Sequence, residues 1–145
     1  MSGRASCAPG RGYRSGVRRG LLVGVGVLAL ATACGAAPGT DAVTRTADGW
    51  LAAARARDAT ALCRLLTPAA AESAVSGDET CAQAIGDLDL PADGPVGQVE
   101  VWSDRAQVKA GTETLFLTEV AGSWRVSAAG CMVRPGRPYD CEVSG

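Results

Sequence analysis

The sequence predicts an α+β fold, with N-terminal helices packed on an antiparallel four-stranded sheet. Two observations carry this reading. Apolar residues recur at helical spacing up to about residue 85, then at alternate positions after a Pro/Gly-rich break at 91–95. The four runs that follow the break are joined by links of three residues, which suit hairpins and are too short for the crossovers of a parallel sheet.

The helices come first. Val43, Ala47, Trp50, Leu51 and Ala54 share one helical face, with Thr40 as the expected cap, and Gly49 is its weak point. Asp58 can cap a second helix holding Leu62, Cys63, Leu65 and Leu66. Thr67-Pro68 is a cap followed by an N1 proline and starts a third through Ala74, and residues 79–85 add one or two turns. The expected strands are 97–102, 106–110, 114–120 and 124–128. Val99 and Val101 fall on one face, as do Ala106, Val108 and Ala110, while Gln98, Glu100, Gln107 and Lys109 fall on the other. The third strand is apolar on both faces, which predicts a central position.

Upstream of this domain, residues 1–33 read as a signal peptide. Arg4, Arg11, Arg14, Arg18 and Arg19 precede the uncharged run 21–33, which is shorter than the roughly 20 residues a membrane-spanning helix requires. Leu30-Ala31-Thr32-Ala33-Cys34 resembles a bacterial lipobox, with Ala31 where leucine is commonest. The resemblance implies diacylglycerol on the Cys34 thiol, cleavage before it, and a protein lipid-anchored to the cell membrane on its extracytoplasmic face. An ordinary A-x-A cleavage site is the alternative for this stretch. Arg18-Arg19 also resembles a twin-arginine export signal, and leaves the general secretory route open. Residues 34–40, rich in Gly, Ala and Pro, form the lipidated tether, and residues 41–145 the single folded domain.

Six cysteines are present. Cys7 leaves with the leader and Cys34 takes the lipid, so Cys63, Cys81, Cys131 and Cys141 remain for disulfides in an exported domain. Four cysteines allow three connectivities; the reading favoured here pairs Cys63 with Cys81 and Cys131 with Cys141. A zinc or redox site is disfavoured, because there is no C-x-x-C and no histidine.

Five of the 14 basic residues and none of the 15 acidic ones lie in the leader, so the exported part is acidic. That excludes an electrostatic case for nucleic-acid binding, and leaves the lipid to hold the domain at an anionic bilayer. Without histidine the usual general base and serine-protease arrangement are missing, and no cofactor motif is present. Gly24-Val25-Gly26 lies in the apolar leader and is no phosphate loop. Asp87, Asp89 and Asp93 lack calcium-loop spacing and read as a solvated acidic turn. Of the three tryptophans, Trp50 and Trp124 read as core. Trp102, at a strand end on the polar face, is the candidate contact residue.

Helices followed by a sheet ending in Gly122-Ser123-Trp124-Arg125-Val126 resemble the nuclear transport factor 2-like, or SnoaL-like, family. More narrowly, Trp50-Leu51-Ala52-Ala53, Cys63-Arg64-Leu65-Leu66-Thr67-Pro68 and the stretch from Ala129-Gly130-Cys131 to Pro138-Tyr139-Asp140-Cys141 are similar to small lipoproteins of high-GC Gram-positive bacteria. The resemblance implies a curved, cone-like sheet with helices in its concavity, and no particular reaction. The expected function is therefore non-enzymatic: binding of a protein or small-molecule partner at the membrane. The alternative is a small enzyme or ligand-modifying domain using carboxylates in a cone-shaped pocket. A pocket filled by Trp50, Leu51 and Leu66 would favour the first, and a buried acid in a deep apolar pocket the second.

Overall fold

A computed structural model describes residues Gly39–Gly145; the signal peptide and Cys34 lie outside the described residues. The first helix, α1 (Thr40–Arg55), begins at the residue expected to cap it, one residue earlier than that cap implies. Gly39 is the N-cap, at φ +89°, and a Cβ there would meet the Trp124 ring at 3.6 Å. Thr40 is thus the first helical residue, and its carbonyl accepts from the Thr44 hydroxyl at 2.8 Å. The apolar face reads as expected: Val43, Ala47, Trp50 and Leu51 are buried. At the far end of α1, Arg55 donates from Nε to the Ala92 carbonyl (2.8 Å) and from Nη2 to that of Gly94 (2.6 Å), tying the helix to the Pro/Gly-rich break.

Three short helices follow, each started by a side chain that satisfies an orphan backbone N–H. Asp58 accepts from Ala61 N ahead of α2 (Ala59–Leu65), and Thr67 from Ala70 N ahead of α3 (Pro68–Ser73). Thr80 and Gln83 form a reciprocal capping box at α4 (Cys81–Gly86). The Cys63–Cys81 disulfide ties α2 to the first residue of α4.

The sheet is an antiparallel meander of five strands in chain order: β1 (Val96–Trp102), β2 (Arg105–Ala110), β3 (Glu113–Val120), β4 (Ser123–Met132) and β5 (Asp140–Ser144). Four strands were expected, and β5 is the correction. The run 140–144 shows no β-branched pattern and follows a Pro-rich loop; it becomes a strand by pairing with β4, where buried Val143 faces Ala129 and Cys141 is bonded to the facing Cys131. That pairing also extends β4 to Met132, past the expected 128. The edge of β5 is covered by α3, whose Ser73 hydroxyl donates to the Ser144 carbonyl.

One core lies between the helices and the inner sheet face. Trp50, Leu51, Leu62, Leu66 and Ile85 meet Val108, Leu115, Leu117, Val126 and Val143 within it. Trp50 is fully buried, and its indole N–H has no partner. Thr67 N donates to the Val126 carbonyl (2.9 Å), so the α2–α3 joint runs beside β4 beyond the end of β5.

Candidate functional site

Alternation along the strands sorts their side chains between a core face and an outer face. Across the outer face, Trp102, Arg105, Thr118 and Arg125 form one row of facing residues, and Glu100, Gln107, Phe116, Ala128 and Ser144 another. Trp102 is 53% exposed at the β1–β2 hairpin, where an indole of that size normally finds cover. The two hairpins of this end are joined, since Glu119 N donates to the Asp104 carbonyl at 2.8 Å. Arg125 donates to the Arg64 carbonyl and so crosses from the sheet to the end of α2. Between them opens a groove of about 700 Å3, lined by Leu66, Pro68, Ala71, Val120, Ala121 and the two arginines among others.

The second row is partly covered by the 133–139 loop. Tyr139 stacks edge-on against Phe116 with ring centroids 5.1 Å apart, and its hydroxyl accepts from Gln107 Nε2 at 3.0 Å. Tyr139 is therefore a clasp that holds this loop on the sheet. The same loop, through Arg134, Arg137, Pro138, Tyr139 and Asp140, shapes an open depression of about 380 Å3.

At the opposite end of the sheet lies a group that the sequence reading placed in a turn. Glu113 is the first residue of β3, on the core face with Leu115 and Leu117, and is only 1% exposed. Its Oε1 accepts from Gly130 N at 2.9 Å, and its Oε2 has no partner. Burial pushes its pKa up from the ordinary 4.5 to about 7; the backbone N–H groups of Gly130 and Cys131 oppose this, and the Asp93 charge adds to it. Extending the alternation of β3 one step upstream of Leu115 would have placed Glu113 inward; its position beside Gly111-Thr112 pointed to a turn instead.

Asp93 belongs to the same end. Its Oδ1 accepts from Thr112 N (3.2 Å) and Thr112 Oγ1 (3.0 Å), and these bonds hold its pKa below the usual carboxylate value. Asp93 thus organises the β2–β3 turn. Gly94 makes this possible: a Cβ there would stand 2.5 Å from Gly111 N. Among the described residues no group of three or more His, Cys, Asp or Glu side chains could hold a metal ion.

A smaller pocket of about 80 Å3 lies between the end of α1, α2 and α4, lined by Ala54, Leu62, Ile85, Leu88 and neighbours. It is well below the roughly 300–1,000 Å3 of a typical small-molecule site. Glu113 lines none of these three pockets. The expected site residues therefore separate into bonded staples, Cys63 with Cys81 and Cys131 with Cys141, and one exposed indole, Trp102. No protein-family model, curated protein or solved structure matches this chain.

Proposed function

We propose that the protein is a lipoprotein anchored through Cys34 on the extracytoplasmic face of the cell membrane, whose domain works by surface contact and not by catalysis. The observation that carries this reading is the filling of the helix–sheet interior by Trp50, Leu51 and Leu66, all at most 2% exposed, while Trp102 stands out on the outer face. Two disulfides in a domain of this size support an oxidising compartment. The lipobox-like stretch supports the anchor, and α1 lying across β1, β2 and β4 supports the cone-like, nuclear transport factor 2-like reading.

The anchor is tested by Cys34→Ala in cells fed a clickable fatty acid. Labelling of the unaltered chain should be lost in the variant; labelling that persists would refute the lipobox reading. The second reading, carboxylate chemistry in a cone-shaped pocket, needs a buried acid that opens into a pocket. Glu113 is the buried acid, but it is sealed at 1% exposure and lines none of the three pockets, so surface contact is the better supported of the two.

A further inference from the structure

The surface that carries Trp102 has a definite position relative to the anchor, and this depends on the lipidation of Cys34 proposed above. Gly39 lies against the Trp124 ring, and the Thr46 hydroxyl donates to the Trp124 carbonyl at 3.4 Å, so the start of α1 sits at the β3–β4 hairpin end of the sheet. Trp124 faces Glu119, whose N–H holds the Asp104 carbonyl of the neighbouring hairpin, and Trp102 flanks that turn. Three strand spacings of about 4.8 Å separate β4 from β1, so Trp102 is offset from Trp124 by on the order of 15 Å along the sheet, at the same end and on the opposite face. The five-residue step from Cys34 to Gly39 spans at most about 18 Å even when fully extended. A lipid on Cys34 therefore keeps this end of the domain within one short tether of the headgroups.

We propose that the hairpin end, with Trp102, Arg105 and Arg125, is a bilayer-docking face that lays the domain on the lipid interface. An amphipathic indole is suited to the boundary between headgroups and acyl chains. Charge agrees with this orientation. Arg64, Arg105 and Arg125 stand at this end against Asp104 and Glu119, and Asp41 balances Arg45 in the first turns of α1. Over the rest of the domain acidic residues outnumber basic ones, and the acidic run Asp87, Asp89 and Asp93 belongs to the opposite end, where Arg55 and the β2–β3 turn meet. Anionic headgroups thus meet the least acidic end of an acidic domain. Val120 and Ala121 at the hairpin tip add apolar surface beside the arginines.

The test uses the full chain, processed in its membrane, purified in detergent and reconstituted into phosphatidylglycerol–phosphatidylcholine vesicles whose acyl chains are brominated near the headgroup. Bromine quenches only indoles that reach the interface. The unaltered protein should lose part of its tryptophan emission in these vesicles, and Trp102→Phe should abolish most of that loss. Intact mass reports separately whether Cys34 carries diacylglycerol. A lipidated protein whose quenching is absent, or unchanged in Trp102→Phe, overturns the docking face and returns Trp102 to a protein partner. A mass without the lipid overturns the anchor and the docking face together.

Discussion

Replacing Glu113 by glutamine should remove a pH dependence of stability that the unaltered protein carries. The folded-state pKa of Glu113 is raised to about 7 from an ordinary 4.5, chiefly by burial. Between these two values the folded chain holds a proton that the unfolded chain has released, so stability falls as pH rises and levels off above pH 7. The difference between the two pKa values corresponds to about 3 kcal/mol. For a domain of this size that is a fall of about 14 °C in Tm between pH 4.5 and pH 8. The window is unusually clean because the chain has no histidine and the four cysteines of the domain are bonded. Glutamine can keep the bond from Gly130 N to its side-chain oxygen while carrying no ionisable group. Thermal unfolding of both proteins in matched ionic strength at half-unit pH steps is the assay. The unaltered protein should slope downward across the window and Glu113→Gln should not. A flat profile for the unaltered protein, or the same slope in both, would refute the assignment of a buried, proton-holding carboxyl to Glu113.

Removing either disulfide as a Cys→Ala pair should lower stability by roughly 3 kcal/mol in the chain-entropy account, since the bridges close loops of 18 and 10 residues of sequence separation. Urea midpoints check this, and loss of Cys131–Cys141 should in addition raise amide exchange across β5, which that bridge holds to β4. Gly94→Ala should cost on the order of 2 kcal/mol or more, because the added Cβ would meet Gly111 N at 2.5 Å and force the break away from the β2–β3 turn. Urea unfolding measures it, and a midpoint unchanged from that of the unaltered protein would show that the break and the turn are not in contact.

Much of the helical half was legible because its signals are local. A cap such as Asp58 or Thr67 bonds an N–H three residues away, and the spacing of Val43, Ala47, Trp50 and Leu51 reflects the pitch of one helix. The alternation of β2 and the three short links were legible for the same reason. Thr40 was misread as the cap because the groups that set the start of α1, Gly39 and Trp124, are 85 positions apart in the chain.

By itself the sequence determined the order of the helices and the first four strands, the position of the break near Gly94, the even set of cysteines in the domain and the outward side of Trp102, each a matter of neighbours along the chain. Tertiary structure alone decided that residues 140–144 become a strand, that Glu113 is sealed against Gly130, that Tyr139 clasps Phe116, and that Trp102 shares an end with the start of α1. These depend on which strands pair and in what register, a choice made by burial summed over distant segments and not by the propensity of any one of them.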